Sequence, residues 1–99
     1  MAKYIKKPVV VEAIRWTGKN IREVYEFLYP PEAAKNNKDP NISFNSFKTS
    51  VEAAWLVIET REGAVSAHKG DMIIRGIAGE YYPCDPHIFA ETYDEYVEE

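Results

Sequence analysis

Four short β-type segments, separated by turn residues, dominate the second half of this chain and limit the folds that it can adopt. Gly63 lies between the first two segments and suits a hairpin turn, because glycine tolerates a positive φ. Strands at about eight-residue spacing are typical of an antiparallel meander or a small barrel. The sequence therefore predicts antiparallel strands in the segments WLVIET (55–60), AVSAHK (64–69), MIIRGI (72–77) and YYPC (81–84).

The first half contributes one strand and one helix. The segment KPVVVEAIRW (7–16) is rich in β-branched residues and alternates from Val11 onwards, which predicts a strand. A helix is predicted over 20–29, where Asn20 and Glu23 have the spacing of a capping box. The apolar residues of this helix recur at helical spacing and should pack on the sheet: Ile21, Val24, Phe27 and Leu28.

The middle of the chain, at about residues 31–54, has no clear periodicity. Its first part is polar and rich in turn residues, and ISFNSF offers only a short alternation, so we predict a long polar loop with at most one edge strand. Near the other end, Asp85 is a candidate N-cap and Pro86 suits the first helical position. The whole chain, 1–99, is thus predicted to form a single α+β domain. Its core is a small antiparallel sheet or partial barrel with one packed helix and a short C-terminal helix or turn.

Composition places the chain among ordinary soluble proteins. Its 99 residues, 45% of them hydrophobic, can build one compact core. No apolar run approaches the roughly 18 residues that a membrane-spanning helix needs. The first sixteen residues are interrupted by Pro8, Glu12 and Arg15 and lack a signal-peptide pattern, and one cysteine cannot form an internal disulfide. We therefore expect an intracellular protein in a reducing compartment, with no membrane association.

The formal charge of −4 is unevenly distributed. Residues 1–50 carry nine Lys or Arg against five acids, whereas residues 51–99 carry three against eleven. Either the halves neutralise each other within the fold, or they present a polar surface to a partner. The basic residues are too sparse for a nucleic-acid-binding patch, so no nucleic-acid partner is expected. An acidic mimic of nucleic acid, using the carboxylates of residues 80–99, is an alternative.

Cys84, the only cysteine, raises the question of catalysis. With His87 or His68 as its base, Cys84 could serve as the nucleophile of a hydrolase. No Gly-rich oxyanion loop accompanies it, and a lone thiol at the junction of a strand and a helix is more often a small apolar filler. Cys84, His87 and His68 are therefore weak catalytic candidates. The remaining potential metal ligands are scattered, so neither a metal nor another cofactor is expected.

Aromatic residues make up 13% of the chain, more than one small core can hide. Surplus Tyr and Trp side chains at a surface are typical of a protein-binding patch. We select as candidate binding residues Trp16, Trp55, Tyr81 and Tyr82.

Several stretches resemble a known family. KKPVVVEAIRWTG, LVIETREG and KGDMIIRGIAGEYYPCDPHIFAETYDEY are similar to a family of small proteins encoded by tailed phages and prophages of Gram-positive bacteria, over roughly residues 5–29 and 55–96. The resemblance implies no assigned activity, cofactor or catalytic residue. Where the family commonly has a proline and an aromatic residue around its Gly-Asp pair, this chain has Lys69 and Met72. Where the family commonly has an aspartate, this chain has His87, and this difference argues against a mechanism based on His87.

These observations lead to one functional hypothesis and two alternatives. The chain is predicted to be a non-catalytic phage or prophage accessory protein that binds a protein partner or itself, as a homodimer, in the host bacterial cytoplasm. The alternatives are the cysteine-dependent hydrolase and the acidic nucleic-acid mimic.

Overall fold

The computed structural model describes residues 1–30 and 43–97 and shows an α+β fold with small antiparallel sheets. The predicted fold class is confirmed. In chain order, the described elements are β1 (Glu12–Arg15), α1 (Ile21–Leu28), α2 (Phe44–Ala53), β2 (Leu56–Thr60), β3 (Gly63–Ala67), β4 (Met72–Arg75), β5 (Tyr81–Cys84) and α3 (Pro86–Thr92).

The predicted strands form two antiparallel sheets instead of one meander. One sheet has the order β1-β4-β5, and the other is the hairpin β2-β3, in which Gly63, at φ 120°, is the first residue of β3 directly after the turn. After β3, the backbone bonds to the end of β1: the Trp16 N–H donates to the Asp71 carbonyl at 2.8 Å, and the Gly70 N–H donates to the Trp16 carbonyl at 2.6 Å. The segment between β3 and β4 is therefore hydrogen-bonded next to β1, and β4 continues this pairing in the three-stranded sheet.

Strand β4 is the central strand of the three-stranded sheet and is buried on both faces. Ile73 and Ile74 are adjacent in sequence and each has 0% exposure. Consecutive strand residues point to opposite faces, so the two side chains bury opposite sides of the sheet. Ile73 lies opposite Ile14 on β1, while Ile74 lies between Ala13 on β1 and Tyr82 on β5. Both faces must therefore be covered by other elements.

The first face, that of Ile73, is covered by α1 and by the β2-β3 hairpin. Val24 of α1 is completely buried, with Phe27 and Leu28 packed beside it, so the predicted packing of this helix is confirmed. The Tyr81 hydroxyl donates to the Phe27 carbonyl at 2.8 Å, and the two rings meet edge to face. The buried members of this core are Trp16, Val24, Val51, Leu56, Ile58, Ala67 and Ile73.

The predicted polar loop is wrong over residues 44–53, which form helix α2, while residues 31–42 lie outside the described residues. Ser43 caps this helix by accepting a hydrogen bond from the Ser46 N–H at 3.1 Å. Phe44 and Phe47 each place their ring centroids 5.4 Å from that of Tyr25 on α1. The stretch that seemed to alternate therefore has helical spacing, and its half-buried aromatic rings pack against the neighbouring helix.

The predicted strand over 7–16 is shorter in the structure, because β1 pairs only with the four residues of β4. Residues 1–11, here called the N-terminal arm, precede it without regular secondary structure. All of the arm except Val11 is exposed. The sheet is therefore preceded by an apolar segment that is not built into it.

The predicted capping box at the start of α1 is wrong. The Asn20 side chain accepts no hydrogen bond from the backbone N–H groups of the first helical turn. Its Oδ1 instead accepts from the Thr17 N–H at 2.9 Å, while its Nδ2 donates to the Arg15 carbonyl at 2.8 Å and also to Glu23. The amide of Asn20 therefore fixes the turn between β1 and α1, which a local pattern of cap residues cannot reveal.

The burial of β4 generates a stability prediction. Ile73→Ala should lower the free energy of unfolding by about 2–5 kcal/mol, since it removes buried methyl groups and leaves a cavity. Ile77→Ala is the matched control, because Ile77 follows the same strand and is 77% exposed. Urea unfolding followed by tryptophan fluorescence measures both. Equal losses in the two variants would contradict the two-sided burial of β4.

Candidate functional site

The second face of the three-stranded sheet, that of Ile74, is covered by α3. This helix begins where predicted, since the Asp85 side chain accepts from the His87 and Ile88 N–H groups at 2.8 and 3.2 Å. The rings of Phe89 and Tyr93 stack with centroids 4.9 Å apart. Residues four apart lie on one side of a helix, so both rings project from the same side of α3.

A groove of about 710 Å³ separates the N-terminal arm from the segment that follows α3. We call it the arm–tail groove. Part of its lining is apolar and comes from the sheet and α3, through Ala13, Met72 and Phe89. One wall is formed by arm residues 6–11 and the other by residues 92–96. The groove therefore has an apolar floor and lies between two segments of the chain.

The walls of the arm–tail groove carry opposite charges. Lys6 and Lys7 belong to the arm, whereas Asp94 and Glu95 belong to the opposite wall. The Lys6 ammonium donates to the Tyr93 hydroxyl at 3.3 Å and lies 5.0 Å from the centre of its ring, a cation–π contact. Lys6 thus attaches the arm to the end of α3.

A second opening, of about 360 Å³, lies where α2, the start of β2 and the turn after β3 meet. We call it the Trp55 opening. Apolar side chains that line it include Ile21, Val51 and Leu56, and Glu52 and Lys69 add charged groups. Trp55 also lines it and has 67% of its surface exposed. The opening is therefore a mainly apolar concavity with an exposed indole.

The structure places the four predicted binding residues in different environments. Trp55 is exposed as expected. Trp16 is only 6% exposed and belongs to the core, where it also lines the inner side of the Trp55 opening. Tyr81 and Tyr82 are half-buried on opposite faces of β5, and their hydroxyls meet Phe27 and Tyr93. Of the four, only Trp55 presents most of its side chain to a partner.

Cys84 has the environment of a structural thiol. It is half-buried at the end of β5, and its Sγ donates to the Asp85 carbonyl at 3.6 Å. Burial, and then the negative charges of Asp85 and Asp71, raise the pKa of the Cys84 thiol above its ordinary value. Nucleophilic cysteines need the opposite shift, because the thiolate is the reactive form. The electrostatics therefore disfavour attack by Cys84.

The two candidate bases have other contacts. The Nδ1 atom of His68 lies 3.6 Å from the Asp71 carboxylate, and the His68 N–H also donates to that carboxylate. His87 is exposed in the first turn of α3, where its backbone N–H bonds to Asp85. These contacts stabilise a turn and a helix start, and neither histidine is positioned by them toward the Cys84 sulfur.

The arm–tail groove could be foreseen only in part from the sequence. The spacing of Phe89 and Tyr93, four residues apart after the Asp85 cap, already indicated an aromatic face on the C-terminal helix. The pattern did not indicate which part of the chain lies opposite that face. The contact of Lys6 with Tyr93 joins residues 87 positions apart, and no local pattern encodes it.

Comparisons with protein-family models, curated proteins and solved structures find no match to this chain. Within residues 1–30 and 43–97, no group of three or more His, Cys, Asp or Glu side chains is arranged to hold a metal ion. None of the helices that the structure describes is long and apolar enough to cross a membrane. The groove, the opening and the exposed side chains are therefore the features that bear on function.

The environment of Cys84 predicts that its thiol reacts slowly with thiol reagents. Because the pKa of the Cys84 thiol is raised, this thiol should react with a thiol-specific disulfide reagent more slowly in the folded protein than an ordinary cysteine thiol, whose pKa is ~8.5. The rate of absorbance change after mixing measures this, with the guanidinium-unfolded protein as control. Rapid labelling of the folded protein at mildly acidic pH would instead indicate an activated thiol.

The environment of Tyr82 predicts a loss of stability at alkaline pH. Burial, and then the hydrogen bond with Tyr93, raise the pKa of Tyr82 from 10.0 to about 12. The folded state therefore holds the phenolic proton more tightly than the unfolded state, so stability should fall as pH rises from 10 to about 12.

Urea unfolding over this pH range tests the prediction. Tyr82→Phe should reduce the alkaline fall in stability, whereas Tyr96→Phe, which alters an exposed tyrosine, should leave it unchanged. An identical pH profile for wild type and Tyr82→Phe would show that other groups cause the fall.

Proposed function

We propose that this protein is a non-catalytic protein-binding module and that the Trp55 opening receives a side chain of its partner. The main support is that Trp55 is 67% exposed beside an apolar concavity. A single exposed apolar residue needs no explanation. An exposed indole next to a concave apolar surface is different, because tryptophan is enriched among the residues that dominate protein interfaces.

The surroundings of Trp55 favour an apolar partner residue. Val57, two residues later, lies on the same side of β2 and is 46% exposed, so it extends the apolar surface along the strand. Glu52 and Lys69 are lining residues that can form the polar rim common in protein interfaces. We therefore expect an apolar side chain of the partner to enter the opening while polar groups around it meet Glu52 and Lys69.

The cellular setting of this function follows from the resemblance to small phage and prophage proteins. We propose that the protein is an accessory protein of such an element and acts in the cytoplasm of the host bacterium. A single cysteine that is not paired within the chain suits a reducing compartment. The raised pKa of Cys84 favours a binding role over the hydrolase alternative.

Affinity purification of the full chain from infected bacteria tests this proposal. Wild type should retain a defined protein partner, and Trp55→Ala should reduce its recovery at least tenfold, as expected for an interface residue worth about 2 kcal/mol or more. Quantitative mass spectrometry measures the recovery. Ile77→Ala is the matched control, since it truncates an exposed apolar residue elsewhere on the surface.

Two results would contradict the proposal. One is a wild-type sample with no partner above the level of an unrelated tagged protein. The other is a partner whose recovery Trp55→Ala leaves unchanged, which would place the interface elsewhere. Circular dichroism of the Trp55→Ala variant must match that of wild type, so that a loss of binding reports on the surface and not on folding.

A further inference from the structure

We infer that a second copy of this chain occupies the arm–tail groove, and that residues 1–5 of each copy insert into the groove of the other. This segment carries large apolar side chains that its own fold leaves in solvent. Tyr4 and Ile5 are each 94% exposed, and Met1 is fully exposed. Burying them removes apolar surface from water, which drives most protein association. The segment therefore gains stability when another surface covers it.

The arm–tail groove is complementary to this segment in polarity and charge. Its apolar lining by Ala13, Met72 and Phe89 suits the side chains of Tyr4 and Ile5. The wall formed by the chain after α3 contains Asp94 and Glu95, and the inserting segment contains Lys3. The basic and apolar segment therefore matches the apolar lining and the acidic wall, which lies opposite the basic wall of Lys6 and Lys7.

The segment does not fill the groove of its own chain. Lys6 holds the arm at Tyr93, and residues 6–11 already form a groove wall. The residues before Lys6 continue away from the body, as the exposure of Tyr4 and Ile5 shows. Each copy therefore has both a free segment and a groove to receive one. Reciprocal insertion satisfies both copies at once, as in a closed two-fold dimer.

The outer edge of β1, with which none of the described strands pairs, offers further hydrogen bonds to the inserted segment. Strand β1 is an outer strand of its sheet, and both backbone groups of Trp16 bond toward the β4 side. Because these directions alternate along a strand, the N–H and C=O of Ala13 point to the open edge. Ala13 also lines the groove, so an extended segment there can pair with this edge in the manner of β-strand addition.

This inference uses residues distant in sequence from the Trp55 opening and does not depend on the proposed function. Disulfide trapping tests it in a Cys84→Ser background. One chain carries Ile5→Cys and the other Thr92→Cys, a substitution in the groove lining. Mild oxidation of the mixture should give a mixed disulfide dimer far in excess of the dimers formed by either chain alone. Ile77→Cys, mixed with Thr92→Cys, is the control and should give no such product.

Sedimentation at micromolar concentration measures the association without cysteines. Wild type should approach twice the monomer mass of 11.4 kDa. Tyr4→Asp combined with Ile5→Asp should weaken dimerisation at least tenfold, while Ile77→Asp should not. Urea unfolding of a dilute, monomeric sample should give the same stability for the arm variant and wild type, because residues 4 and 5 are almost wholly exposed.

Three outcomes would overturn the inference. Wild type could sediment as a monomer, or form a dimer that the substitutions at Tyr4 and Ile5 leave unchanged. A single chain carrying both Ile5→Cys and Thr92→Cys could also form its disulfide internally at high dilution, while the mixture of single variants forms none. That last result would show that the segment folds onto its own groove.

Discussion

The fold depends on the burial of two adjacent isoleucines in the central strand. Ile73 and Ile74 are both inaccessible to solvent, yet a strand directs neighbouring side chains to opposite faces. A three-stranded sheet with such a strand must be covered on both sides. The helix α1 and the β2-β3 hairpin cover the face of Ile73, and α3 covers that of Ile74. These elements form two layers, one on each side of a small sheet.

The two covers differ in extent, and this difference produces the features to which we assign function. The first face is covered by α1, α2 and the hairpin, and the Trp55 opening lies at the margin of this cover. Among the elements that the structure describes, only the short helix α3 covers the second face, so part of that face is left as the floor of the arm–tail groove. The two proposed binding surfaces therefore lie where the elements that cover the sheet end. The same sparse cover leaves Cys84 half-buried near carboxylates, which raises its pKa and favours a structural thiol.

Local patterns in the sequence were sufficient for most secondary structure. The alternation in residues 55–60 and 72–75, the glycine of the hairpin turn and the Asp85-Pro86 helix start all act through neighbours within a few residues. They also specified which side of α1 packs, since Val24, Phe27 and Leu28 share a helix face. Helix α2 was missed because Ile42, Phe44 and Ser46 were read as a short alternation, whereas Phe44 and Phe47 have the i, i+3 spacing of a helix. Their contact with Tyr25, remote in sequence, is what distinguishes the two.

The sequence by itself therefore determined the α+β class, the strands of the second half and the two helices that begin at residues 21 and 86. Only the tertiary structure decided that β4 joins β1 and not β3, that Trp16 is in the core while Trp55 is exposed, and that the arm and α3 enclose a groove. The reason is physical: strand and helix propensities depend on neighbours along the chain. Strand partners, burial and concave surfaces depend on contacts between distant segments, such as that of Lys6 with Tyr93.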